Sequence, residues 1–277
     1  MADEQGLPTE AVRHYASGYE ATRLFGSAPG ELERIRTQEI IARTLPPPPA
    51  RIVDVGGAAG VYSLWLLDQG YDVHLIDALP LHVELATQAF NQQAHRSHAS
   101  ACVGDARQLD QPESSADVVL LFGPLYHLTE RDDRLQALRE AYRVLRPGGI
   151  LFAAGISRFA SLLDGLARNL VDEPAFQAIL HADLATGQHR NPQHHPDYFT
   201  TAFFHHPDEL AEEVAEVGFL LDSLLPVEGP AWLLPNLAER LSDTGKRTQL
   251  LALLRAVEEE PSLIGVSSHF LAVARTA

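Results

Sequence analysis

Positive charge, sulfur and long apolar runs are all scarce in this chain. Lys and Arg together number 21 against 37 Asp and Glu, a formal net charge of −16, and Lys246 is the sole lysine. So acidic a chain repels phosphate backbones, which argues against a nucleic-acid partner. One cysteine, Cys102, excludes an intrachain disulfide and lends no support to secretion. No apolar run approaches the roughly 18–20 residues of a membrane span, so no membrane partner is expected. The opening "MADEQGLPTE" lacks the basic-then-apolar order of a signal peptide. The expectation is a cytoplasmic protein, its oligomeric state open. With 277 residues, 45% of them hydrophobic, one large domain with extensions can bury a sizeable core.

What is present is an alternation of strands and helices. Glu10–Leu45 reads as helical, most clearly in "ELERIRTQEIIARTL", and Pro46–Pro49 stop it. Strands are then expected at Arg51–Val55, Asp72–Ile76, Ser100–Val103, Val118–Phe122 and Ile150–Gly155. Helices are expected at Val61–Asp68, Leu81–Gln93 and Arg131–Leu145. Alternating βα units imply a parallel sheet covered on both faces. Arg158–Thr201 breaks the pattern with helical pieces and a His-rich stretch. Glu209–Val217 resumes as helix, Phe219–Leu225 as strand, Pro235–Glu259 as helices and Leu263–Thr276 as a last strand. An excursion of about forty residues suits a lid facing a substrate. The chain thus divides into a cap (1–49), a core (50–157), a lid (158–206) and the remainder of the core (207–277).

The stretch "VDVGGAAG" at Val53–Gly60 is the sharpest signal. Glycines between a strand and a helix let the backbone turn tightly and approach a ligand. A dinucleotide loop needs G-x-G-x-x-G, and counting from Gly56 puts Ala58 and Val61 in the later slots. A P-loop needs Lys-Ser/Thr after the turn, and none follows. The pattern Asp54-x-Gly56-x-Ala58-x-Gly60 instead matches D-x-G-x-G-x-G, with Ala58 in the middle glycine slot. Downstream, in order, come Asp77 in "HLIDA", "GDA" at Gly104–Ala106, "LLFGPLYHL" at Leu120–Leu128 and "VLRPGGILF" at Val144–Phe152. The first three fall at or near the carboxyl ends of successive strands, and the last is a helix–turn–strand leading into strand five.

On these residues the chain resembles the class I S-adenosylmethionine (SAM)-dependent methyltransferases, in particular the small-molecule group with "GPLYHL" after strand four. The resemblance is close over Arg51–Ser157. It implies an α/β, Rossmann-like, seven-stranded, mostly parallel sheet with an antiparallel last strand and helices on both faces. The N-terminal helical extension and the lid after strand five are added to that core. It implies SAM as cofactor, S-adenosylhomocysteine as product and a small-molecule methyl acceptor. Carried over residue by residue, Gly56, Gly57, Ala58 and Gly60 would lie under the amino-acid end. Asp77 and Ala78 would meet the ribose. Gly104, Asp105 and Ala106 would meet the adenine, with its amino group on Asp105. Phe122 and Gly123 would border the methyl group. Asp54 is expected to orient the glycine loop through backbone N–H groups.

SAM's sulfonium is already a good leaving group, so the protein must align the reactants, exclude water and, for many acceptors, take a proton. His127 is the candidate base or orienter of the acceptor; the other reading is a histidine bonded to backbone that shapes the loop. Tyr126 is expected to line the pocket. Tyr15, Tyr19 and Arg23 share one helix face at i, i+4, i+8. Arg23 could pair with the methionine carboxylate and Tyr15 could cover the methyl end, or the three could form an ordinary packing face. The lid histidines His181, His189, His194, His195, His205 and His206 do not repeat a metal-ligand spacing, so no metal is expected. They either contact the acceptor or are solvated. Tyr198, Phe199, Phe203 and Phe204 form an aromatic wall or belong to the core. Cys102 is expected to be buried.

The leading expectation is methyl transfer to O or N of a small organic molecule, specialised metabolism being one setting. The alternative is a SAM-binding protein of the same fold, cyclase-like or a binding module, that transfers no methyl.

Overall fold

The computed structural model describes residues 20–195 and 198–277. The chain enters through α1 (Glu20–Gly26) and α2 (Ala28–Thr44). The single helix expected there is broken at Ser27, an extended N-cap whose hydroxyl accepts from Gly30 N–H. The βα alternation follows as β1 (Arg51–Val55), α3 (Val61–Asp68), β2 (Asp72–Asp77), α4 (Pro80–Asn91), β3 (Ala99–Val103) and β4 (Ala116–Leu121). Next come α5 (Pro124–His127), α6 (Arg131–Val144) and β5 (Leu145–Ser157). The lid region supplies α7 (Ala160–Arg168), α8 (Pro174–Thr186), β6 (Gln188–His189) and β7 (Ala202–His205). The chain closes with α9 (Pro207–Glu216), β8 (Leu220–Pro226), α10 (Leu237–Ser242), α11 (Thr244–Val257), α12 (Pro261–Ile264) and β9 (His269–Arg275).

β3, β2, β1, β4 and β5 pair in that order, all parallel. β9 runs antiparallel between β5 and β8. The central strands are covered on both faces, which is why "IVDV" and "ADVVLL" read as almost unbroken apolar runs. Strand order reverses between β1 and β4, and ligands of such sheets bind in the crevice at the carboxyl ends beside that reversal.

Two differences from the expected elements bear on the site. The last strand starts at His269, because Pro261–Ile264 closes a helical turn first. The lid is also not wholly outside the sheet. β5 outruns β4, and β7 pairs parallel with Ile156 and Ser157 on the edge opposite β9. The buried run Ala202–His205 thereby extends the sheet beyond β4, and the lid reaches the carboxyl edge from inside the fold. Cys102, expected to be buried, is only partly so.

Candidate active site

The turn after β1 is built by residues that leave no room for larger ones. Gly56 has φ +75° and donates its N–H to Ile76 O at 2.7 Å. A Cβ on Gly56 would lie 2.5 Å from Pro124 Cδ, and one on Gly57 would lie 2.7 Å from the Asp54 carboxyl group. Ala58 sits at φ +47°, in the left-handed region that glycine occupies more easily. Its N–H donates to Asp77 Oδ2 at 2.9 Å. That bond ties the turn to the end of β2 and holds Ala58 in an unfavoured conformation.

Asp77 is a buried junction. Besides Ala58 N–H, it accepts from Leu79 N–H at 2.9 Å and pairs with His82 Nδ1 at 3.0 Å, both on Oδ1. A carboxylate has about four acceptor positions, so one remains toward the cavity. Three of its acceptor positions are thus taken within the protein. His82 was missed, although its place five residues after Asp77, on α4, could have pointed to it.

Asp54 does not touch the loop's backbone N–H groups as expected. Its Oδ2 accepts from Ser63 Oγ at 2.6 Å, and its buried Oδ1 has no hydrogen-bond partner. Burial, opposed by Ser63 and reinforced by the charge of Asp77, pushes its pKa up to about 6. An acid whose pKa is raised on folding stabilises less as pH climbs from its unfolded value to its folded one. Here the loss spans about pH 4 to 6 and reaches on the order of 3 kcal/mol. Asp54→Asn is therefore expected to gain in melting temperature relative to the parent between pH 4 and pH 7. A gap that calorimetry finds independent of pH would contradict this.

Two cavities flank the turn. The first, about 730 Å³, is lined by Asp77, Ala78, Leu79, His82, Gly104, Asp105, Ala106, Gly123, Pro124, Tyr126 and His127 among others. The second, about 660 Å³, is lined by Arg23, Glu33, Thr37, Asp54, Gly57, Tyr62, Phe122, His269 and others. Gly56, Ala58 and Tyr126 line both, so the two meet across the glycine turn. The expected site residues thus converge, except that Gly60 opens α3 behind the turn and lines neither cavity. Tyr15 and Tyr19 lie outside the described residues.

His127 ends α5, is buried, and approaches Thr201 O of the lid at 3.4 Å through Nδ1. Tyr126 packs edge-on against it at 4.8 Å, and Phe199 lies 6.1 Å away. Asp105 is engaged by Arg107, which donates its backbone N–H and forms a 2.6 Å ion pair; Arg107 also reaches Asp133. Arg23 forms a two-pronged pair with Glu33 at 2.5 and 2.8 Å, a partner the sequence reading did not assign.

Of the lid histidines, His189 and His205 are buried, His195 and His206 are half-buried, and His181 and His194 are exposed. His189 bonds Asp183 and stacks on Phe204, and His205 pairs with Glu213. Tyr198, Phe203 and Phe204 are buried. Among the described residues the one cluster with metal-type ligand atoms is Glu33, Glu228 and His269. Its oxygens are already answered by Arg23, by Ser267 and by His269 itself. Glu33, Glu228 and His269 escaped the sequence reading.

Residues 53–153 match the methyltransferase domain family. A ubiquinone/menaquinone biosynthesis C-methyltransferase from Acidiphilium cryptum is 30% identical over 46% of this chain and 50% of its own. A malonyl-[acyl-carrier protein] O-methyltransferase from Geobacter sulfurreducens is 32% identical over 62% of this chain and 56% of its own. The chain thus spans about half the length of these curated relatives. A solved SAM-dependent methyltransferase from Methanosarcina mazei superposes with a TM-score of 0.57 at 20% identity, covering 86% of this chain and 96% of that one. That likeness shows the Rossmann-like fold. No helix among the described residues is long and apolar enough to cross a membrane.

Proposed function

Starting from the fact that the core of this chain belongs to the class I SAM-dependent methyltransferases, a family whose cofactor is SAM, we propose that it methylates an O or N atom of a small organic molecule. One observation carries the reading. Two cavities at the strand-order reversal meet at Gly56 and Ala58, one lined by Asp77 and the other by Asp54 and Arg23. The donor and acceptor groups suit the two ends of SAM. Asp77 accepts from a ribose hydroxyl, and Ala78, Gly104 and Ala106 flank the adenine, with Asp105 near its amino group. Asp54 draws the ammonium by its charge. Arg23 stands beside the carboxylate while remaining paired with Glu33.

SAM supplies a methyl group already activated by the sulfonium. The chain's part is alignment and exclusion of water. Phe122, Gly123 and Tyr126, at the junction of the cavities, border the reacting carbon. His127 orients the acceptor against the lid. Residues 1–49 serve as a cap, 158–206 as the lid, and 207–277 complete the core begun at 50–157. The setting is cytoplasmic, and the acidic charge disfavours nucleic acid as acceptor. Specialised metabolism is a setting in which such acceptors arise.

The test is incubation with SAM and a panel of phenols, carboxylic acids and amines, followed by mass spectrometry of methylated product and S-adenosylhomocysteine. Tight SAM binding with no product across the panel would favour a non-transferring protein. In the productive assay His127→Ala is expected to lower turnover about 100-fold or more with little change in SAM affinity. Parental turnover would reduce His127 to a loop-shaping residue.

A further inference from the structure

We propose that His269, held by Glu228, is the group that takes the proton from the acceptor; this rests on the methyl-transfer reading above. β9 runs antiparallel to β5, so its first residue lies at the carboxyl edge, where His269 pairs in register with Ile156. It lines the second cavity, its side chain about one-fifth exposed (19%). Its Nδ1 lies 2.7 Å from Glu228 Oε1. Glu228 is buried, and its other oxygen accepts from His269 N–H at 3.0 Å and Ser267 Oγ at 2.8 Å. The Ser267 hydroxyl oxygen accepts in turn from the backbone N–H groups of Glu228 and Gly229. Every bond in this chain fixes the carboxylate, and the carboxylate fixes the ring. A carboxylate on Nδ1 selects the Nδ1–H tautomer and leaves the lone pair on Nε2.

The surroundings suit a base. With the methionine end of SAM taken up by Arg23 and Asp54, the other lining residues of the same cavity, Phe122, Tyr126, Ala154, Val227 and Leu271, give an apolar wall, which fits an acceptor with an apolar body and one protonated nucleophile. The charged groups acting on the ring are Glu33 from α2, Glu228 from the segment after β8, and Arg23 from α1. Burial alone would depress the imidazole pKa, but the two carboxylates outweigh it and Arg23, and hold it above the ordinary value. In the step, the acceptor's X–H proton passes to Nε2 as X bonds to the methyl carbon. The carbon–sulfur bond breaks with its electron pair on sulfur, leaving the neutral thioether S-adenosylhomocysteine. The imidazolium then releases the proton to solvent. Glu228 is a positioning residue.

Imidazole ¹H–¹⁵N spectra of the labelled full chain, with and without S-adenosylhomocysteine, test this, with His269→Gln assigning the signal. The neutral ring is expected as the Nδ1–H tautomer, titrating above an ordinary histidine and still titrating with S-adenosylhomocysteine bound. Glu228→Gln is expected to lower that midpoint by about one pH unit. His269→Gln should keep its affinity for S-adenosylhomocysteine in calorimetry and lose about 100-fold or more in kcat on any acceptor the panel yields. An Nε2–H tautomer, a ring silenced by S-adenosylhomocysteine, unchanged kcat, or a tenfold loss of affinity in His269→Gln would overturn the assignment. Failure of the parent chain to bind S-adenosylhomocysteine would instead overturn the methyl-transfer reading itself.

Discussion

Asp77→Ala is expected to weaken S-adenosylhomocysteine binding by about 2–4 kcal/mol, roughly 30- to 1,000-fold. One contribution is direct: a hydrogen bond from a sugar hydroxyl to a carboxylate, about 1.5–3 kcal/mol. The rest comes through the loop. Without Asp77 Oδ2, Ala58 loses the acceptor that holds it at φ +47°, and the turn no longer stays in the shape the ligand meets. The same change should destabilise the free protein by about 3 kcal/mol or more, because the N–H groups of Ala58 and Leu79 and the ring of His82 lose a buried partner together. Asp77→Asn separates the two effects. Its amide oxygen can still serve Leu79 and His82, but its NH₂ would then face the Ala58 N–H, donor against donor. The asparagine variant should therefore regain more stability than affinity. Calorimetry and thermal melting read both, and unchanged affinity in the alanine variant would remove Asp77 from the site.

The second large effect is expected at Arg134, which no sequence motif marks. Arg134 is buried on α6 and forms a 2.7 Å ion pair with Glu213 of α9. It also donates to the carbonyls of Leu128 and Thr129 and lies 3.7 Å over the Phe203 ring. It thus joins the end of α5, where His127 sits, to the lid strand β7. Arg134→Met leaves Glu213 as a buried charge with only His205 and, at 3.9 Å, the exposed Arg131 beside it. Removing one partner of such a pair costs about 3–5 kcal/mol. That corresponds to a fall in Tm of about 5–9 °C for a domain of this size. Adding Glu213→Gln to Arg134→Met should recover part of the loss, since the orphaned charge is then removed. A double variant no more stable than the single one would show that the packing on Phe203, and not the charge, holds the lid.

The legibility of this site followed sequence distance. The Asp54–Gly60 turn, Asp77 and the "GDA" and "GPLYHL" segments lie on consecutive βα units, so parallel-sheet topology alone brings their strand ends to one edge. Periodicity and Pro/Gly stops located those strands within a few residues. The atoms that complete the site come from elsewhere. Arg23 and Glu33 are on two helices separated by a break at Ser27 that the helical pattern concealed. Glu228 and His269 meet only because the last strand runs antiparallel. A polar residue at the start of such a strand lies at the carboxyl edge of the parallel strands, and that signal was available in "SSHFLAV". β7 is different: "AFFH" is four buried residues inside a His-rich stretch, too short for its alternation to separate a strand from a loop. The ties of Asp77 and Asp105 to His82 and Arg107 depend on side-chain geometry that spacing does not encode.

A crystal structure with S-adenosylhomocysteine bound would decide whether the glycine turn holds the cofactor. A ribose hydroxyl is expected within hydrogen-bond distance of Asp77, the ammonium on the Asp54 side of the turn and the sulfur beside Tyr126, which lines both cavities. Ligand density away from the Gly56–Ala58 turn, or a sugar out of reach of Asp77, would contradict this placement.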